Sequence, residues 1–248
     1  MSRHLITLII VIFPQYAVYA ESTDIGDFAS RFLDDANETF IKPNNIAALL
    51  LASGAGVILH NSDADRNLND NFERHRAFND TTDKTFDLIG NPAIQIGSAG
   101  IWYLFGHANA DELNKQRAMT MLSALAITDT VTFGLKAIVN TERPNGDNHS
   151  FPSAHTASSF CAASVLDEYY GPKVGIPAYI AASLVGWRMM DSGDHWASDV
   201  LFGATLGFIV GHSAAGKHKQ LEIAGFQVEP LLSLNVNSAT GICLVKRF

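Results

Sequence analysis

The chain has 248 residues, 47% of them hydrophobic and only 17% charged, with a formal net charge of −8. Ordinary soluble domains carry about 25% charged residues, and this composition excludes global disorder, collagen, coiled coil and low complexity. The acidic balance lacks the cationic footprint of a nucleic-acid binder, and two cysteines, Cys161 and Cys243, make neither a disulfide framework nor a zinc pattern.

Residues 1–20 read MSRHLITLIIVIFPQYAVYA. Arg3 is followed by an apolar run from Leu5 to Phe13, then by Val18 and Ala20 before a cut, which is the pattern of a secretory signal peptide. The alternative is an uncleaved anchor helix, but the run is short against the roughly 20 residues a membrane span needs, and Pro14 interrupts it. The expected mature chain therefore lies outside the cytoplasm, in the periplasm or cell envelope. Whether Cys161 and Cys243 pair there stays open.

Residues 21–220 read as one helical domain. Residues 21–45 are mixed and polar, Ile46 to Leu59 is apolar, and 61–87 is dense in Asp, Asn and Arg. Pro92 to Phe105 is apolar again, and 109–117 is charged. Apolar residues at helical spacing predict one long helix from Arg117 to Val139, with Lys136 near its end. The Asn, Pro, Gly and Asp of 140–151 predict a loop. Ser153 is a good N-cap for a helix that stops at Gly171-Pro172. Another helix is expected from about 174 to 190, a break at Asp191 to Asp194, and a last helix to about 213. That last helix carries Gly203, Gly207 and Gly211 at four-residue spacing, which lets a neighbouring helix approach closely.

Residues 221–248 read differently. Leu232, Leu234 and Val236 alternate with polar residues, Asn237 to Gly241 is a turn cluster, and Ile242 to Phe248 follows, which predicts a β-hairpin. The expected fold class is all-α: a bundle of about six core helices with the active site at one end, plus a short C-terminal β-hairpin. The apolar segments suit either a soluble bundle or short membrane spans, and a mean hydropathy of +0.09 does not choose. Their shortness, with Asp129 and Arg188 inside two of them, favours the bundle. A cleaved signal and a soluble or peripheral bundle give a periplasmic site. A cleaved signal and six full spans give a cytoplasmic one.

Three polar clusters sit at helix ends, where apolar packing does not ask for them. The first is Lys136 with Arg143-Pro144, the second Pro152-Ser153-Ala154-His155, and the third Arg188 with His195 and Asp199. Singly each is ordinary: a lysine capping a helix dipole, a surface histidine, a chance pair at i, i+4. In this order and spacing they resemble the type 2 phosphatidic-acid phosphatase and vanadium haloperoxidase superfamily, whose pattern is K-x6-R-P, P-S-G-H and S-R-x5-H-x3-D. The resemblance covers about residues 90–213. Ala154 stands where Gly is usual, Gly186-Trp187 precede the arginine, and six residues rather than five separate Arg188 from His195. One extra residue turns a helix by about 100°, and Asp191-Ser192-Gly193 offers a loop to absorb it.

The resemblance implies a metal-independent phosphatase with no cofactor. Lys136, Arg143 and Arg188, together with the N–H groups at Ser153 and Ala154, would hold the phosphate. His195 would attack phosphorus, Asp199 would fix its tautomer, and His155 would protonate the leaving oxygen. The expected partner is a phosphorylated lipid or a small phosphate ester, with membrane association open and no nucleic acid. Two alternatives stand beside it: a vanadate-dependent haloperoxidase, whose known members are much longer, and a non-catalytic phosphate-binding envelope protein, which would not need both histidines. His4 falls in the signal segment. His60, His75, His107, His212 and His218 read as structural or solvated, and His149 is the one further histidine positioned to line the site.

Overall fold

The computed structural model of the chain describes residues 22–219, 222–223, 226–231 and 241–245. The signal segment expected at 1–20 lies outside them. The helical region holds α1 (Ser22–Ile41), α2 (Pro43–Asn61), α3 (Ala64–Arg74), α4 (Asp80–Gly90), α5 (Pro92–Ala108), α6 (Glu112–Val139), α7 (Ala154–Tyr170), α8 (Pro172–Asp191) and α9 (Ala197–His218).

Local chemistry sets these boundaries. Proline opens α2, α5 and α8, where its missing N–H costs nothing. The side chains of Asn79, Asn91, Asp111 and Ser153 accept backbone N–H groups at the starts of α4, α5, α6 and α7. Gly171, at φ +71°, ends α7 and turns the chain into α8. The Asp111 cap starts α6 five residues ahead of the expected Arg117, and α9 runs on to His218. The two polar stretches of the sequence are helices too, α1 in the first and α3 and α4 in the second.

The expected glycine stripe forms the main seam. A Cβ on Gly203 would lie 2.7 Å from the Ser153 carbonyl oxygen, and one on Gly207 or Gly211 would run into the carbonyl of Ala157 or Cys161. α9 thus packs backbone to backbone on α7. Leu125, Val165, Leu206 and Val210 fill the core around this seam. Cys161 is a free, buried thiol within it.

The outer faces are apolar. Leu51 is 75% exposed on α2, Phe105 65% on α5 and Ile138 81% on α6. Large side chains of this kind facing outward suit lipid rather than water. α2, α6 and α9 are each long and apolar enough to cross a membrane. The 19 residues of α2 rise about 28 Å at 1.5 Å per residue, close to the hydrocarbon thickness of about 30 Å. The ionisable residues that argued for a soluble bundle face inward: Asp129 accepts the Ser158 hydroxyl at 2.6 Å, and Arg188 lies among carboxylates. The chain is thus built for membrane association.

In the tail, β1 (Glu222–Ile223), β2 (Phe226–Leu231) and β3 (Gly241–Val245) pair antiparallel in the order β1-β2-β3, with Val228 opposite Leu244. This gives the expected hairpin no support. Its first strand, 232–236, lies outside the described residues, and the strand facing β3 is upstream of it. The fold class rests on the helices alone.

Gly207→Val should lower the melting temperature of the detergent-solubilised protein, because overpacking costs about 1–3 kcal/mol. Gly134→Ala, where a Cβ meets nothing within 4 Å, should not lower it. Thermal denaturation followed by circular dichroism checks the pair.

Candidate active site

Four helix ends meet at one end of the bundle: the C-termini of α6 and α8 and the N-termini of α7 and α9. Two loops lock them together. The Asn145 N–H donates to the Gly193 carbonyl at 3.1 Å, and Trp196 Nε1 donates to the Glu142 carbonyl at 2.8 Å. The Ser153 N–H donates to the Asp199 carbonyl at 3.2 Å, which ties the start of α7 to the first turn of α9. Buried Lys136 closes the other side: its Nζ donates to the carbonyls of His149 at 2.6 Å and Ser150 at 2.9 Å.

Asp199 is the anchor of this end. Its Oδ2 accepts the Ser150 hydroxyl and, at 3.0 Å, the Trp196 N–H, the latter one half of a capping box for α9. The same oxygen faces His195 Nδ1 at 3.4 Å. The His195 N–H donates to the Met189 carbonyl at 3.0 Å, so both backbone and ring are held. A carboxylate against Nδ1 keeps the proton there and leaves the lone pair on Nε2. Burial, joined by the charges of Lys136 and Arg143, pushes His195 below the ordinary histidine range against the pull of Asp199. The ring is therefore kept neutral and available as a nucleophile. Arg143 Nε is buried without a hydrogen-bond partner, a donor waiting for an acceptor.

Ser153 caps α7 as expected, Ala154 is its buried first residue, and His155 is its second. The first N–H groups of a helix have no intrahelical acceptor and point toward an anion. His155 Nε2 lies 3.4 Å from Asp87 Oδ1, outside hydrogen-bond geometry. Burial pushes its pKa down to about 4, with Asp87 opposing.

Arg188 departs from expectation. Its Nε and Nη2 meet the two oxygens of Asp83 at 2.8 and 3.1 Å. Its Nη1 donates to Asp194 at 2.7 Å and lies 3.1 Å from Asp87. Gly193, in the short loop between Arg188 and His195 that follows α8, has φ of +74°. The structure thus brings Lys136, Arg143, Ser153, Ala154, His155, His195 and Asp199 together, and holds Arg188 beside them in a ring of carboxylates. The sequence reading missed those three acids. Asp83 and Asp87 at i, i+4 on one helix face, and Asp194 directly before His195, were the available signal. His149 turns its ring Nδ1 to the Lys136 carbonyl at 3.1 Å and so packs on the end of α6. His212 pairs with Glu168 at 2.7 Å and His218 with Asp35 at 2.7 Å, both structural.

Residues 117–220 match the profile of the PAP2 superfamily. A lipid A 1-phosphatase of Porphyromonas gingivalis is 28% identical over 199 residues, 77% of this chain. The chain spans less than half of that relative, 43% of its length. The solved PAP2-type phosphatidylglycerolphosphate phosphatase from Bacillus subtilis, a transmembrane protein, shares the fold with a TM-score of 0.55 at 21% identity, over 68% of this chain and 92% of that one. LpxE of Aquifex aeolicus aligns with a TM-score of 0.49 at 22% identity, over 61% of this chain and 92% of that one.

In a titration of ¹³C-labelled histidine rings by NMR, His155 should titrate near pH 4, and His195 below the ordinary value of about 6.5. Both folded-state values are depressed, so the stability these rings contribute is full above about pH 6.5 and is lost as the pH falls toward 4. A His155 midpoint at or above 6.5 would contradict the geometry.

Proposed function

From the match of residues 117–220 to the PAP2 superfamily profile, we propose that the chain is a membrane-associated lipid phosphatase of that kind, working through a phosphohistidine on His195. The observation that carries this reading is the buried His195–Asp199 pair, set beside Lys136 and Arg143 at the start of α7.

The chemistry follows from these positions. A phosphoryl group in transfer spreads negative charge over three equatorial oxygens. The unpartnered Arg143 Nε, Lys136 and the Ala154 N–H in the first turn of α7 neutralise it, the Ser153 N–H being held by the Asp199 carbonyl. Arg188 adds a third cation once the phosphate displaces part of its carboxylate ring. The Nε2 lone pair of His195 forms the P–N bond as the P–O bond to the leaving group breaks. His155, charged in the presence of the phosphate dianion, gives its proton to the leaving oxygen. Water then attacks phosphorus, His155 takes its proton, and the P–N electrons return to His195. Asp199 holds the Nδ1 proton throughout and stabilises the charged ring.

A lipid substrate has two further supports. A cavity of about 310 Å³, lined by Val57, Val139, Phe151 and Trp196, borders Asp199 between α2 and α9. The curated relative is named for lipid A. The periplasmic position expected from the sequence depended on a bundle outside the bilayer. If residues 1–20 are an export signal and α2 crosses inward, the site faces the cytoplasm instead. Reporters fused after residue 109 and after residue 148, at the two ends of α6, should report opposite sides of the membrane. The same side for both would return the account to a peripheral bundle.

Hydrolysis of a lipid phosphate by the solubilised protein should persist in EDTA and be inhibited by orthovanadate, a five-coordinate mimic of the transition state. Loss of activity in EDTA with recovery on added magnesium or zinc would refute the proposal. Halide oxidation with vanadate and peroxide, without ester hydrolysis, would favour the haloperoxidase reading.

A further inference from the structure

α4 lies outside the region that matches the superfamily, yet it reaches the site. Its last residue, Gly90, brings it there: a Cβ at Gly90 would run into Val185 of α8 and lie 3.4 Å from the Cβ of His155. One turn back, Asp87 puts a single oxygen, Oδ1, 3.1 Å from Arg188 Nη1 and 3.4 Å from His155 Nε2.

The three carboxylates around Arg188 are not equivalent. Asp83 meets the guanidinium with both oxygens, and Asp194 takes Nη1 in a hydrogen bond while also accepting the Ser192 hydroxyl at 2.7 Å. Asp87 approaches without hydrogen-bond geometry and is the most exposed of the three, at 46%. It is the partner that an arriving phosphate displaces most easily.

We propose that Asp87 is a positioning residue for His155: when phosphate takes Arg188, the Asp87 carboxylate accepts the His155 Nε2–H and leaves Nδ1 to exchange a proton with the leaving oxygen. This rests on the phosphatase reading. The site then holds two carboxylate–histidine pairs, Asp199 with the nucleophile and Asp87 with the acid. The groups facing His155 are Asp87 from α4, Arg188 from α8, and Asp194 and His195 from the loop before α9. Arg188 and His195 oppose a charge on the ring. Asp194 favours one but is committed to Arg188 and Ser192, so Asp87 is the group left to hold the imidazolium. In the forward step the Nδ1 proton passes to the leaving oxygen as the P–O bond breaks. Asp87 neither gains nor loses a proton.

The test compares wild type, Asp87→Asn and Asp87→Glu on an alkyl and an aryl phosphate ester. General acid catalysis contributes about 10²–10⁴-fold, and weakening its support should cost Asp87→Asn about 10–100-fold in kcat on the alkyl ester. The loss on the aryl ester, whose leaving group needs little protonation, should be only a few-fold. The alkaline limb of the kcat profile should move to lower pH, and Asp87→Glu should restore most of the activity. Equal losses on both esters with an unmoved alkaline limb would overturn the assignment. The second readout needs no turnover: with orthophosphate bound, the NMR midpoint of His155 should be higher in wild type than in Asp87→Asn. Equal midpoints overturn the role of Asp87. A wild type inactive on both esters counts against the phosphatase reading alone, and the midpoints then decide on Asp87.

Discussion

The close approach of α9 to α7 is the constraint on which the site depends. A helix pair separated by ordinary side chains would keep Ser153 and Asp199 too far apart for the 3.2 Å hydrogen bond that joins them. Gly203, Gly207 and Gly211 remove those side chains along one face. The seam therefore sets the distance between the helix start that would receive the phosphate and the carboxylate that orients His195. Tight packing in such interiors transmits small displacements, so the glycines act on the site from about one to three turns along α9.

The second organising feature is a balance of charge in a low-dielectric end. Lys136 satisfies itself on two loop carbonyls, and Arg188 is matched by Asp83, Asp87 and Asp194. Of these three cations, Arg143 is the one with a buried nitrogen that lacks a hydrogen-bond partner. Buried charges left unpaired are costly, and this arrangement keeps the resting site close to neutral. Both histidines respond to it: burial, aided by neighbouring cations, disfavours their charged forms.

Much of this was legible in the sequence, for identifiable reasons. The caps, the Gly171-Pro172 stop and the small-residue stripe act locally, so they can be read without knowing the neighbours. The motif residues stand at helix ends where apolar periodicity breaks, which makes them visible. Three things were not legible. α4 is short, with eleven residues, so its helical period hid inside a stretch of Asp, Asn and Arg, and with it went Asp83 and Asp87. The inward orientation of Asp129 and Arg188 depends on partners 29 and 105 residues away, so the sequence could not show that the two residues turn away from the outer apolar faces. The tail pattern of alternating residues fixes a period but not a partner, and the strand opposite Gly241–Val245 came from Phe226–Leu231, not from 232–236.

The central claim is that His195 becomes covalently phosphorylated. Rapid-quench trapping with ³²P-labelled substrate under alkaline conditions, followed by peptide mapping, tests it directly. The account predicts base-stable, acid-labile label on the peptide that carries His195, and none in His195→Ala. Burst-free turnover with no trapped phosphoenzyme, or label on Ser153 or His155, would contradict it.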